Sequence, residues 1–236
     1  MSLGPAHREK ILVLAVGGCG CNLANDLPSA GIGGIEIVVA NTDAQGLERS
    51  SVKTKLHLGS DSATRSGTIS DPLSGRAAAQ GSAAEVRRLF EGKEVVLLIA
   101  GLGGGTGSGA TPYFTSLARE MEILSAAVVT TPFSFEGYSR KSIAEAGARA
   151  LEAEADFVIA MSNDELSALA KTQGYVEAFR QGNELVRAAL RWIIAFVEAE
   201  PTGEAFQSRQ DRFRLYMKDL TNDGRLSGFF ATRPHS

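Results

Sequence analysis

The sequence predicts an α/β fold: a doubly wound, mostly parallel sheet with helices on both faces, followed by a helical C-terminal extension. Three observations carry this expectation. Short apolar runs rich in β-branched residues alternate with helical patterns from Ile11 to Met161, which is the rhythm of repeated βαβ units. The runs end in glycine-rich or polar turns. Right-handed crossovers then bring the C-terminal ends of all the parallel strands, and with them turns 17–22, 41–45, 67–74, 101–109, 131–137 and 162–164, to one rim.

Ile11 to Val16 reads as a buried strand, and Gly17-Gly-Cys-Gly-Cys-Asn22 turns it into a helix from about Leu23. Position 23 is Leu where a dinucleotide fingerprint starting at Gly18 needs glycine. Ile35 to Ala40 is the next strand, followed by Asn41-Thr-Asp-Ala-Gln45, whose polar residues suit either a ligand or a helix N-cap. Lys53 to Leu58 is a short strand, Gly59 to Ser74 a polar loop, and Gly75 to Glu91 an Ala-rich helix. Val95 to Ala100 is a strand, and a helix covers Ala110 to Met121. Ala126 to Thr130 and Asp156 to Met161 are strands around a helix over Ser139 to Glu154. Apolar residues three and four apart make Tyr175 to Glu198 a long amphipathic helix, and Glu204 to Leu220 repeats the pattern after Pro201-Thr-Gly203. Thr221 to Ser236 reads as a loosely ordered tail.

The stretch Gly101-Leu-Gly-Gly-Gly-Thr-Gly-Ser-Gly109 joins a buried strand to a helix, which is a phosphate-binding arrangement. Glycines let the backbone approach an anion closely. Successive N–H groups and the helix N-terminus supply positive potential, and Thr106 and Ser108 offer hydroxyl donors. A flexible linker is a poor account, because linkers are not flanked by a buried strand and an amphipathic helix. The stretch is also no P-loop, which needs Gly-Lys-Ser/Thr at its end.

Composition narrows the function. The 236 residues are enough for one substantial core, with 44% hydrophobic and 22% charged residues. A net charge of −3 argues against nucleic acid as a partner. No apolar run approaches the roughly 20 residues of a bilayer span, so no membrane insertion is expected. Cys19 and Cys21 are too close for an ordinary disulfide and read as reduced residues of a cytoplasmic protein.

Together the loops resemble the GTPase domain of the FtsZ/tubulin family, closest to FtsZ, over about residues 10 to 190. Gly17 to Asn22 is similar to the first phosphate loop, Asn41 to Gln45 to the second, and Gly101 to Gly109 carries the signature GGGTGSG. Thr131-Pro-Phe-Ser-Phe-Glu-Gly137, with Arg140 following, is similar to the loop around the ribose. Asn163-Asp164 matches the base loop, and Ala178-Phe-Arg180 opens the central helix. The resemblance implies GTP or GDP as ligand, with Mg²⁺ accompanying GTP. It places Gly18, Cys19, Gly20, Cys21, Asn22, Gly101, Gly103, Gly104, Gly105, Thr106, Gly107 and Ser108 around the phosphates, with Asn41 and Asp43 in the second loop. Pro132 and Glu136 would line the ribose side, Arg140 would stand near the phosphates, Phe179 would stack on guanine, and Asn163 and Asn183 would read its edge.

Two departures qualify the resemblance. In place of the family's Ala-Gly-Gly-Asn-Pro, which holds the γ-phosphate, stands Thr68-Ile-Ser-Asp-Pro-Leu-Ser74, and Asp71 there would repel a phosphate unless Mg²⁺ lay between. The family's acidic loop, which activates water in the next subunit's site, aligns with Glu204-Ala-Phe-Gln-Ser-Arg209. Its paired acids are missing, with Glu204, Asp211 or Asn222-Asp223 as the available substitutes, so no catalytic residue and no metal ligand is assigned. GTP hydrolysis is expected to be weak or absent in isolation.

The expected organisation is a GTP-binding unit over 10–199, with a helical extension and tail over 200–236 in place of the family's C-terminal domain. Trp192, Ile194 and Phe196 widen the apolar face of the central helix, which must be covered by the 204–220 helix or by a second chain. The expected partners are a second copy or an FtsZ-like protein, reached through that face and the sheet rim. The functions that follow are a GTP-binding, self-associating protein of cell division or the cytoskeleton, or a non-polymerising, nucleotide-gated regulator of a full-length filament. An NAD-dependent oxidoreductase lacks both its fingerprint and a hydride-handling group.

Overall fold

The computed structural model describes residues 5–27, 34–59, 71–165, 167, 171, 174–199, 205–222 and 230–232. Seven strands form one sheet: β1 (Ile11–Val16), β2 (Glu36–Asn41), β3 (Thr54–His57), β4 (Val95–Gly101), β5 (Leu124–Thr131), β6 (Phe157–Ser162) and β7 (Phe230–Thr232). Their order is β3-β2-β1-β4-β5-β6-β7. The first six are parallel, and β7 runs antiparallel against β6. Continuous apolar runs in β1 and β4, and the nearly unbroken burial of β5, suit strands covered on both faces.

Helices supply that cover. On one face, α1 (Gly17–Ala24) and α2 (Ala44–Arg49) pack with α7 (Tyr175–Ala199) and α8 (Phe206–Asn222) over Ile11, Val13, Leu97 and Ile99. On the other, α3 (Pro72–Gly81), α4 (Ala83–Phe90), α5 (Gly105–Glu120) and α6 (Tyr138–Glu154) pack over Leu12, Leu14, Val96 and Leu98. The alternation of β1 side chains between the two clusters is the two-residue period of a strand read in three dimensions.

Four boundaries differ from the sequence expectation. The glycines of 17–22 and 105–109 lie inside helices α1 and α5, not in loops before them. Low helix propensity is outweighed there by packing, for a Cβ at Gly20 would sit 2.3 Å from the Ile99 carbonyl oxygen. The single helix expected over Gly75 to Glu91 is broken at Ser82, which follows Gly81 and whose Oγ accepts the Gly59 N–H at 3.1 Å. The third-loop residues Pro72 to Ser74 already belong to α3, capped by Asp71. The tail contributes strand β7.

The broad apolar face of α7 is covered by α8. Phe196 on α7 meets Phe213 edge-on at 5.0 Å and Tyr216 at 5.5 Å, and Phe213 and Met217 are fully buried. Polar contacts fix the same helix to the sheet edge opposite the glycine turns. Gln210 and Arg214 both donate to Oδ1 of Asp156, just before β6, and Arg209 pairs with Glu94 before β4 at 3.1 Å. Glu204 and Asp223 lie outside the described residues, and Asp211 accepts from Gln207 within α8.

Candidate functional site

At the C-terminal rim of the sheet, where open α/β folds hold ligands, a cavity of about 620 Å³ opens between the ends of β1, β2, β4 and β5. Two helix N-termini converge on it. Gly17 opens α1 with a φ of +73°, and a Cβ there would stand 3.3 Å from the Gly107 backbone nitrogen of α5. The positive φ and the tight space together favour glycine at position 17. Gly104 is the N-cap of α5 and makes no side-chain cap hydrogen bond, and the first N–H groups of a helix are those its own carbonyls do not reach. Helix N-termini facing a concavity are the arrangement that suits an anion.

The glycine turn is held by its neighbours. The Gly103 N–H donates to Ser108 Oγ at 2.8 Å, and the Leu102 N–H to the Thr130 carbonyl at 2.8 Å. Thr42 and Thr106 share a hydroxyl hydrogen bond at 2.7 Å, which ties the second loop to α5. Asp43 caps α2 through the Gln45 N–H at 3.0 Å. On the far wall Glu136 accepts the Phe133 N–H at 2.8 Å and pairs with Arg140, so a carboxylate and a guanidinium stand together at the mouth. Asp164 receives the Ser134 N–H at 2.9 Å and holds this loop against the end of β6.

The cysteines add no negative charge. Cys19 lines the cavity with its Sγ 3.3 Å from Thr130 Oγ1, and burial of the thiol pushes its pKa up, against the Thr130 bond and with help from Glu136. Cys21 is in the core beneath α1, where burial pushes it up to about 11. Both are free thiols, as expected for residues two apart in a helix.

Of the residues singled out from sequence, the cavity brings together Gly18, Cys19, Asn41, Asp43, Gly101, Gly104, Gly105, Thr106, Gly107, Pro132, Glu136, Arg140 and Asn163. Gly20, Cys21, Asn22, Gly103 and Ser108 are not among its lining residues: Gly20 and Cys21 pack beneath α1, and the Ser108 hydroxyl is engaged by Gly103. Asn183 also stands apart from the lining and donates to Asp26. The side chain of Phe179 lies outside the described residues. Sequence reasoning missed Gly17, Thr42, Leu102 and Thr130 as lining residues. Thr42 had a signal, since it lies between Asn41 and Asp43, whereas Thr130 enters only through strand register.

Asp71 resolves differently from its expected place near a γ-phosphate. It caps α3, accepting the Leu73 and Ser74 N–H groups at 3.1 Å and the Ser74 hydroxyl, and the Ser74 bonds hold its carboxyl below the usual range. It does not line the cavity. Among the described residues no group of three His, Cys, Asp or Glu is placed to hold a metal ion. No described helix is long and apolar enough to cross a membrane.

Comparison with known proteins agrees with this geometry. Residues 10–171 match the family described as "Tubulin/FtsZ family, GTPase domain". The chain is 40% identical over 188 residues to the cell division protein FtsZ of Coxiella burnetii, covering 79% of this chain and 49% of that protein. It is 37% identical over 190 residues to cell division protein FtsZ 1 of Pyrococcus horikoshii, covering 80% and 51%. It thus spans about half the length of the curated relatives it matches. Among solved structures, an empty FtsZ dimer from M. jannaschii superposes with a TM-score of 0.71 at 30% identity, covering 82% of this chain and 57% of that one. The family match extends over more than half of the chain, and this protein belongs to the Tubulin/FtsZ family.

Proposed function

We propose that this chain binds a guanine nucleotide, with the diphosphate against the N-termini of α1 and α5. The observation that carries the reading is the meeting of two glycine-opened helix N-termini at one cavity, so close that a Cβ at Gly17 would stand 3.3 Å from the Gly107 nitrogen. Backbone N–H donors at helix N-termini suit phosphate oxygens, which accept hydrogen bonds and are drawn to the positive end of the helix dipole. Glu136 is placed to accept from ribose hydroxyls, and Arg140 beside it to reach a phosphate once its pairing partner turns to the sugar. Mg²⁺, where GTP is bound, would be carried mainly by phosphate oxygens and water, as that ion's coordination allows. Asp43 and Glu136, the lining carboxylates, each already accept a backbone N–H.

Hydrolysis is a separate matter. Phosphoryl transfer needs a group that orients the attacking water, and both lining carboxylates are committed elsewhere. We therefore assign binding to the chain itself and leave water activation to groups from another chain. The covering of the α7 face by α8 favours a molecule that does not self-associate through that face, in keeping with a nucleotide-gated partner of a cell-division or cytoskeletal filament.

Titration calorimetry with GDP, GTP and ADP, with and without Mg²⁺, tests the reading. The expected result is one site per chain for GDP and GTP, with ADP at least about tenfold weaker. Equal affinity for ADP and GDP, or no binding of either, would overturn it.

A further inference from the structure

We propose that Asp164 is a positioning residue for sugar recognition, holding the turn that carries Glu136 so that its carboxylate tells a ribose from a dideoxyribose; the inference rests on the guanine-nucleotide reading above. β5 and β6 run side by side up to the pair Thr131 and Ser162, the last rung of their ladder. Beyond it the two chains part, and both supply cavity lining: Pro132, Glu136 and Arg140 from one, Asn163 from the other. Asp164 closes the gap. Its Oδ1 and Oδ2 accept the Ser134 N–H at 2.9 and 3.1 Å, and Oδ1 also accepts the Ser134 hydroxyl at 3.2 Å.

Apolar burial does not fix this turn. Ser134 to Glu136 form a single 3₁₀ turn, and none of residues 131–140 is buried. Phe133 and Phe135 stack on each other at 4.9 Å, with Phe135 79% exposed, so the aromatic pair adds no anchor in the core. Polar contacts therefore decide where the turn sits.

Two carboxylates share the N–H groups at the start of the turn. Glu136 Oε1 takes the Phe133 N–H at 2.8 Å from within it, and the other oxygen of Glu136 pairs with Arg140. Asp164 takes the Ser134 N–H from outside. The first N–H groups of a helical turn need acceptors, and a carboxylate there is favoured by charge as well as by hydrogen bonding. Without Asp164 the Ser134 N–H needs another acceptor, and Glu136 is the acid of the turn itself. Glu136 would then be drawn inward as the cap, away from the cavity that it lines. Asp164 thus does the capping and leaves Glu136 for the ribose hydroxyls, which donate well to a carboxylate.

The test compares GDP and 2′,3′-dideoxy-GDP affinities by calorimetry in the wild type, Asp164→Ala, Asp164→Asn and Ser134→Pro, with the unfolding temperature of each. Asp164 is exposed, so its variants are expected to unfold near the wild-type temperature. Ser134→Pro removes both donors from the other side of the contact, and serves if Asp164→Ala does not fold. Proline is tolerated at the first position of a helical turn, and the extended Phe133 backbone suits a proline after it. The wild type is expected to prefer GDP about tenfold or more, the scale of a hydrogen bond to a charged group. Asp164→Ala and Ser134→Pro are expected to lose most of that preference through weaker GDP binding, with dideoxy-GDP affinity nearly unchanged. Asp164→Asn, which keeps an oxygen acceptor, is expected to restore part of it. An unchanged preference in a folded Asp164→Ala or Ser134→Pro protein overturns the proposal, as does an equal loss of both affinities, which would make the contact merely structural. Equal wild-type affinities for GDP and dideoxy-GDP also overturn it, and leave the guanine-nucleotide reading standing. A wild type that binds neither overturns that reading itself, and the proposal with it.

Discussion

At Gly107 the nearest foreign atom to an added Cβ is the Gly101 carbonyl oxygen, 2.0 Å away, and at Gly109 it is the Pro72 carbonyl, also 2.0 Å away. These glycines let β4, α3 and α5 touch backbone to backbone. Gly107→Ala is therefore predicted to destabilise the fold by about 1–3 kcal/mol or more, as over-packing does, measurable as a lowered denaturant midpoint. A wild-type midpoint would mean that α5 and β4 are further apart than described. The glycine and Asn/Asp turns were legible in the sequence because their chemistry is local: a strand, a run of glycines, then a helix. Thr130 was not legible, since only the pairing of β4 with β5 brings it beside Gly101. Ser108 shows what sequence does not reveal, for its Oγ accepts the Gly103 N–H and so braces the glycine turn.

Among the elements, α8 carries the sharpest predictions. Its apolar contact with α7 centres on Phe213, fully buried against Phe196. Phe213→Ala is expected to cost about 3–5 kcal/mol and to expose α7, read as faster proteolysis within 206–222 and a tendency to associate. Unchanged proteolysis would show that α8 is held by something else. Asp156 supplies the polar half of the docking. Its burial is the dominant influence and pushes its pKa up, while the Ser125 N–H, Gln210 and Arg214 pull the other way. A folded-state value above the unfolded one means that the native chain holds the proton more tightly. The contribution of this group to stability is then greatest in acid, and falls as pH rises from about 4, the unfolded value, through the raised folded value. Relative to Asp156→Asn, the wild type is predicted to gain stability as pH falls through that window, and a pH-independent difference would contradict this. The amphipathic pattern of α8 was readable in advance. Its anchoring by Asp156 was not, because an acid before a strand looks like any solvated loop residue until Gln210 and Arg214 arrive from 54 and 58 residues further along.

For the whole molecule, the order β3-β2-β1-β4-β5-β6 is set by tertiary pairing, whereas the alternation of strands and helices together with right-handed crossovers puts the C-terminal ends of the parallel strands on one rim, which is why the rim was foreseeable. The helix boundaries at the glycines and the break at Ser82 were not, because tertiary contact decides them against local propensity. On the proposed reading the molecule would hold phosphate through backbone donors, while its lining carboxylates are already occupied. GTP turnover per molecule is accordingly predicted to be near zero and flat as protein concentration rises. Turnover that climbs with concentration would show that a neighbouring copy completes the site.

The central claim is that the N-terminus of α5 holds the phosphates, and Gly104→Asp tests it most directly. A Cβ at Gly104 meets nothing within 4 Å, and its extended backbone is that of an N-cap, where Asp is favoured. The new carboxylate would occupy the N–H groups that phosphate needs and repel the ligand. The measurement is GDP affinity by calorimetry, paired with the unfolding temperature. The account predicts an unchanged or raised unfolding temperature with GDP binding lost. GDP binding at wild-type strength in a folded Gly104→Asp protein would contradict it.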